Sequence, residues 1–156
     1  ENGRKTAREM YGCNGSVAHH NSDIYADTAP QDFYIPASFW VMGEAWMATH
    51  IWEHFVYTGD KAFLEENFQV LQACVDFFQE FLVRAEDGTL ITSPSVSPEN
   101  TYIMKNGARG CLCEGAVMDM EILTELLQDY IKACKVLGKK PELKKRQRQS
   151  WKDFHH

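Results

Sequence analysis

The chain contains 156 residues, of which 44% are hydrophobic and 12% aromatic, and its formal net charge is −6. This length and composition fit one globular domain with a sizeable core and exclude a disordered tail. No apolar run approaches the ~20 residues that a membrane-spanning helix needs. The acidic balance argues against a nucleic-acid-binding protein, because contact with phosphates requires a basic face.

Charge is distributed unevenly along the sequence, and its first residues do not look like a natural protein start. Residues 1–138 carry 9 Lys and Arg against 20 Asp and Glu, whereas residues 139–156 carry 7 against 2. The first residues lack the apolar segment of a signal peptide, and no Met opens the chain. We therefore expect a piece of a longer protein, and the sequence leaves its compartment unassigned, cytoplasmic or secreted. The five cysteines, an odd number, do not fit a disulfide framework.

The first third of the chain is predicted to contain one loop and one helix. Residues 1–37 show no sustained helical period, so we expect a long irregular segment. A helix is predicted to begin near Ser38, an N-cap residue that follows Pro36, and to end at Gly59. Apolar residues cover most of its circumference, which predicts an inner helix packed on more than one side.

The next segment is predicted to be the second helix of a hairpin. Asp60 is a suitable N-cap for a short helix over 61–66. A long helix over about 67–85 follows, with apolar residues at the i, i+3, i+4 spacing and a polar stripe that predicts an outer position.

The remaining chain repeats the order of loop and helices. Residues 86–114 are predicted to be non-helical, with a short strand over 89–92. A third helix over about 115–137 should end at Gly138, and a fourth should begin at Pro141 and reach about residue 151. Alternating helical hairpins and long loops predict part of a toroid of paired helices, which two hairpins cannot close.

A carboxylate in the second long loop is a candidate acid. Glu99 directly follows a Pro-containing stretch, so backbone geometry rather than helix propensity holds it. Such a carboxyl suits a proton donor, which must reach its target within hydrogen-bond distance. The spacing alone favours the alternative, an incidental Glu in a surface turn.

A polar cluster in the first loop is a candidate binding site. Its members are His19, His20, Asn21 and Asp23, with Asp27 close behind. They can bind a polyhydroxylated ligand or a metal, or they can be solvated side chains in Asx turns. Among the aromatic residues, Trp40 is predicted to lie at a cleft and the others in the core.

A metal-binding pattern occurs on the first predicted helix. His50, Glu53 and His54 match the H-x-x-E-H pattern of inverted zincins, and the two His lie one turn apart. Such a site needs a third ligand from a later helix, for which Glu121 or Glu125 is a candidate. We instead expect these histidines to be in the core or at a cleft edge.

Several motifs in order resemble glycoside hydrolase family 95, whose members are mostly α-L-fucosidases. The resemblance covers about residues 3–138. The motifs are Ala7-Arg-Glu-Met-Tyr-Gly-Cys13, Val17-Ala-His-His-Asn-Ser-Asp23, Asp27-Thr-Ala-Pro-Gln31, Ile51-Trp-Glu-His54, Tyr57-Thr-Gly-Asp60, Thr92-Ser-Pro-Ser-Val-Ser-Pro-Glu-Asn100 and Met118-Asp-Met120.

The resemblance implies a fold, an activity and a set of site residues. The fold is an (α/α)6 barrel, of which residues 1–156 would be an incomplete part. The activity is hydrolysis of α-1,2-linked L-fucose with inversion, without a metal or another cofactor, on a fucosylated oligosaccharide or glycoconjugate. Glu99 corresponds to the general acid, and it should be kept protonated by burial or a neighbouring carboxylate. The candidate substrate-binding residues are His19, His20, Asn21, Asp23, Trp40 and Asn100.

Two of the family's catalytic elements are missing from this sequence. The base is an Asp far downstream, and the Asn pair that assists it lies upstream of the His-His-Asn segment. We therefore expect the isolated chain to be inactive and to self-associate through exposed helix faces. The family also includes enzymes that act on L-galactosides, so the preferred sugar is left open.

Two other functions remain as alternatives. One is a zinc metallopeptidase that uses His50, Glu53 and His54. The other is a non-catalytic helical module that binds glycans.

Overall fold

The computed structural model describes residues 1–143, about half of which are helical. Five helices occur in this part of the chain: α1 (Asn2–Tyr11), α2 (Ile35–Ser38), α3 (Gly43–Thr58), α4 (Lys61–Phe81) and α5 (Val117–Leu137). Six two-residue strands lie between α4 and α5. They are β1 (Val83–Arg84), β2 (Leu90–Ile91), β3 (Ser95–Val96), β4 (Tyr102–Ile103), β5 (Arg109–Gly110) and β6 (Leu112–Cys113).

Helices α3, α4 and α5 pack against one another and form the core. The α4 helix is buried along most of its length, because apolar residues recur on the face that meets both neighbours. The largest fully buried side chains include Phe77, Phe78, Leu126 and Tyr130. No helix within residues 1–143 is long and apolar enough to cross a lipid bilayer.

The prediction that residues 1–37 form a loop was wrong for α1. The buried face of α1 consists of Gly3, Thr6 and Ala7, which are too small or too polar to produce an apolar period. Gly12 ends the helix in the left-handed region at φ 65°. The remainder of the first segment is irregular, as predicted, apart from the single turn of α2.

The first predicted helix is divided in two. Pro36 begins the one-turn helix α2, and the chain then leaves helical geometry until Gly43. Residues 40–42 are almost completely buried in this break. The backbone therefore turns to insert Trp40 and its neighbours into the core, and the predicted start at Ser38 was about five residues too early.

The α4 helix is one continuous element rather than a short helix followed by a long one. Asp60 caps it, as predicted, by accepting a hydrogen bond from the backbone N–H of Phe63 at 2.9 Å. It ends at Phe81, before the predicted residue 85, because Leu82 is extended and the next two residues pair with β2. The predicted strand over 89–92 is present as β2.

The α5 helix confirms the third predicted helix within two residues. Gly115 has a positive φ of 59°, so the helix begins after it. Gly138 ends the helix in the left-handed region, as predicted. The fourth predicted helix is not present over 141–143, and the remainder of it lies outside the described residues.

The exposed side of α3 carries several large apolar side chains in the described chain. Ala45, Ala48 and Thr49 form its buried face, whereas Val56 and Tyr57 are 61% and 82% exposed. Trp46 and Met47 are also exposed. The other side of the predicted inner helix is therefore not covered by residues 1–143.

Removal of the α4 cap should destabilise the chain. We expect Asp60→Ala to lower the free energy of unfolding by about 1 kcal/mol, because the Phe63 N–H loses its acceptor. Urea unfolding of the 156-residue chain measures the change. Asp60→Asn, which keeps a side-chain oxygen, should lose less than half as much, and an equal loss would contradict the cap's role.

The exposed face of α3 should make the isolated chain self-associate. We expect the double variant Val56→Lys, Tyr57→Lys to shift the chain toward monomer, because it places charges in an apolar patch. Light scattering after gel filtration measures the mass. The control is Ile24→Lys, a change at a residue that is 91% exposed in a loop. A monodisperse wild-type monomer would refute the expectation.

Candidate functional site

Glu99 lies in a turn next to a buried strand pair. Strand β3 pairs antiparallel with β6, and Ser95 and Val96 of β3 are completely buried. The turn over 97–100 follows directly, and in it the backbone N–H of Asn100 donates to the carbonyl of Ser97 at 2.7 Å. The side chain of Glu99 is exposed. A fixed strand therefore leads into a turn that presents a carboxyl group at the surface.

A second hairpin continues from the turn. Strand β4 pairs antiparallel with β5. The hydroxyl of Tyr102 in β4 donates to the carbonyl of Leu112 in β6 at 2.8 Å. Gly110 leaves room for the Tyr102 ring, which would have to shift if residue 110 carried a Cβ. These contacts join the segment after Glu99 to the strand pair before it.

The expected burial of Glu99 is not present. The side chain is exposed, and among residues 1–143 no side chain forms a hydrogen bond with its carboxyl group. Residues 1–143 therefore leave the carboxyl accessible to a ligand, and the burial or neighbouring carboxylate that the family resemblance implies stays a prediction.

His19 is a buried part of the fold rather than an open ligand. It is 2% exposed. Its Nδ1–H donates to the carbonyl of Thr28 at 2.7 Å, and its Nε2 then accepts from the hydroxyl of Tyr11 at 2.6 Å. Both ring nitrogens are occupied in a neutral tautomer. Burial lowers the pKa of His19, an effect that the Thr28 contact partly opposes. The structure thus corrects the prediction that His19 contacts substrate.

The other polar residues of the first loop remain near the surface. His20 is exposed, and its ring packs edge-on against Trp40 with centroids 5.8 Å apart. Asn21 donates weakly to Asp32 at 3.4 Å. Asp23 accepts from the backbone N–H groups of Tyr25 and residue 27 at 2.8 and 3.1 Å. The Asp23 carboxyl therefore shapes the loop, as the Asx-turn alternative predicts.

The loop that carries His20 is attached to the start of α3. The backbone N–H of Glu44 donates to the carbonyl of Ala18 at 3.2 Å, and the hydroxyl of Ser16 donates to the Glu44 carboxyl at 2.8 Å. Burial raises the pKa of Glu44, and the Ser16 hydrogen bond partly offsets this. Two hydrogen bonds therefore attach the beginning of this loop to the first turn of α3.

Trp40 is buried, not at a cleft. It is 1% exposed, and its indole N–H donates to the carboxyl of Asp119 at 2.9 Å. A sugar stacks on an open ring face, which Trp40 does not offer within the described residues. Asn100, the last of the predicted residues, is exposed and its amide contacts the Ser97 hydroxyl at 3.3 Å.

The zinc pattern lies on the exposed face of α3. His50, Glu53 and His54 are all exposed, and the ring of His54 packs on Phe63 with centroids 4.0 Å apart. Residues 1–143 contain no group of three or more His, Cys, Asp or Glu side chains arranged to hold a metal ion. The peptidase alternative therefore lacks a ligand set within residues 1–143. Of the two positions expected for these histidines, the core was wrong and the edge of a cleft stays a prediction.

Sequence reasoning named Asp119 only within a family motif and assigned no role to this buried carboxyl group. Asp119 is completely buried and accepts from the hydroxyl of Thr92 at 2.7 Å as well as from Trp40. The available signal was an Asp between two Met residues at the start of an amphipathic helix. Tyr11 was missed as well, because only the fold shows that its hydroxyl meets His19.

The neutral state of His19 should appear in the pH dependence of stability. Burial lowers the pKa of His19 in the folded chain. The neutral ring therefore contributes fully to the free energy of unfolding above about pH 6.5, and this contribution is lost as the pH falls below that value. Uptake of one proton on unfolding changes the free energy of unfolding by at most about 1.4 kcal/mol per pH unit. We expect His19→Gln to flatten the dependence between pH 7.5 and 5.5.

Urea unfolding at a series of pH values measures this effect. The control is His20→Gln, a change at the exposed neighbour, which should keep the wild-type slope. Equal slopes for wild type and His19→Gln would show that His19 does not titrate differently on folding.

Comparison with known proteins places the chain in a family. The model of the glycosyl hydrolase family 95 catalytic domain matches residues 1–156. Alpha-L-fucosidase 2 of Arabidopsis thaliana is 41% identical over 139 residues, which are 88% of this chain and 16% of that protein. Probable alpha-fucosidase A of Aspergillus niger is 33% identical over 114 residues, 70% of this chain and 14% of that protein. The chain spans under a fifth of either relative, and it belongs to the glycosyl hydrolase family 95 catalytic domain.

Proposed function

We propose that the natural protein containing this chain is an inverting glycosidase that removes terminal α-1,2-linked L-fucose from oligosaccharides or glycoconjugates. Family membership and two relatives named as fucosidases support the substrate class. The linkage and the inversion rest on the resemblance of the sequence motifs to the family. In this proposal residues 1–156 form part of an (α/α)6 barrel.

Glu99 is the proposed general acid. The observation that carries this role is its position in a turn held by the buried strand β3, with an exposed carboxyl group. Such a group can approach a glycosidic oxygen within hydrogen-bond distance without movement of the backbone. The leaving oxygen takes the proton as the bond to the fucose carbon breaks.

The proposed base is not in this chain. Inversion requires a second carboxylate on the opposite face of the sugar, roughly 6.5–9.5 Å from the acid, so that a water molecule fits between them.

The proposed sugar contacts are the accessible polar residues of the two loops. His20, Asn21 and Asp23 lie in the first loop, and Asn100 follows the acid. Hydroxyl groups of a sugar are donors and acceptors, which amide, imidazole and carboxylate groups match. His19 and Trp40 do not take part directly, because both are buried.

Loss of the acid should abolish turnover of a fucosylated disaccharide. We expect the natural protein to release β-L-fucose first from Fucα1-2Gal, because inversion turns the α-anomer into the β-anomer. Glu99→Gln should lower the rate at least about 100-fold, since the amide cannot donate the proton. Proton NMR during the reaction reports both the anomer and the rate.

A nearby carboxyl group provides the matched control. Glu114 is exposed and follows strand β6, so Glu114→Gln removes one charge from the same region without removing the acid. It should retain most of the activity. Early release of α-L-fucose would refute the inverting mechanism. An active Glu99→Gln variant would refute the role of Glu99 as general acid. No release of fucose by wild type would refute the proposed substrate.

A further inference from the structure

We infer that Asp119 is a positioning residue that holds the turn of Glu99 and the loop of His20 in one fixed arrangement. This inference rests on the proposed function, because it concerns the position of the proposed acid relative to the substrate. Asp119 lies in the first turn of α5 and is completely buried within residues 1–143, so a ligand at the surface of this part of the chain does not reach it. Its effect must therefore pass through its two hydrogen-bond partners.

The first connection runs from Asp119 to the acid. One carboxyl oxygen accepts from the Thr92 hydroxyl at 2.7 Å, and the Thr92 carbonyl accepts from the Gly115 N–H at 2.8 Å. Thr92 is thus held through both its side chain and its backbone. It is fully buried and leads directly into β3, which ends at the turn that carries Glu99.

The second connection runs from Asp119 to the proposed sugar-binding loop. The other carboxyl oxygen accepts from the Trp40 indole at 2.9 Å, and the Trp40 ring supports the exposed ring of His20. Strand β3 also packs beside α2, the turn that precedes Trp40. One buried carboxyl group therefore connects both loops to the start of α5.

The chemistry of the leaving group separates positioning from general stability. A poor leaving group, such as the galactose of Fucα1-2Gal, departs only with proton donation. Fluoride departs from α-L-fucosyl fluoride with little help from an acid. A displaced Glu99 carboxyl group therefore slows hydrolysis of the disaccharide much more than hydrolysis of the fluoride. Partial unfolding lowers both rates by the same factor.

The test compares Thr92→Val with Thr92→Ser in the natural protein. Val has the shape of Thr but cannot donate to Asp119, whereas Ser keeps the hydroxyl group. We expect Thr92→Val to lower kcat/KM for Fucα1-2Gal about tenfold and to change the fluoride reaction less than about twofold. Thr92→Ser should restore most of the disaccharide rate.

A second variant tests the carboxyl group itself. Asp119→Ala removes both acceptors, so it should lower the rates on both substrates through the His20 loop and the disaccharide rate further through Glu99. It should also change the fluorescence of Trp40, measured as the difference from a Trp40→Phe background. If Asp119→Ala does not fold, Thr92→Val tests by itself whether the position of the Glu99 carboxyl group depends on Asp119.

The outcomes distinguish the inference from the proposed function. Wild type that acts on neither substrate overturns the proposed function and the inference with it. With an active wild type, equal losses on both substrates in Thr92→Val, or a Thr92→Val variant as active as Thr92→Ser, overturn the inference alone. A selective loss on the disaccharide supports it.

Discussion

The buried carboxyl group of Asp119 connects three parts of the chain that are far apart in sequence. It receives one hydrogen bond from Trp40 and one from Thr92, and both donors are neutral. A buried carboxyl group is costly to desolvate unless both oxygens find donors. The fold must therefore bring the break before α3, the loop after β2 and the first turn of α5 to one point.

Regular helices were predictable because each depends mainly on local information. Apolar spacing identifies α4 and α5, and Gly59 and Gly138 end α3 and α5 in the left-handed region, as the sequence predicts. The small buried face of α1 gives no such signal. The break over residues 39–42 depends on distant partners of Trp40, so no local pattern reveals it.

The candidate site was predictable only as a set of chemically suitable residues. The sequence identifies Glu99 and the polar loop, but it does not separate polar groups that bond within the fold from those that remain accessible. His19 and Trp40 belong to the first kind and His20 to the second. Asp119 was named in a motif but assigned no role, because its partners are 27 and 79 residues away.

Gly43 shows how little sequence freedom the base of the first loop has. A Cβ at this position would collide with the carbonyl oxygen of His19 and crowd that of Ala18. The start of α3 therefore lies directly against the peptide that precedes His20. A side chain larger than hydrogen at Gly43 would displace this loop, so the position of His20 depends on the space available at the start of a helix more than 20 residues further along the chain.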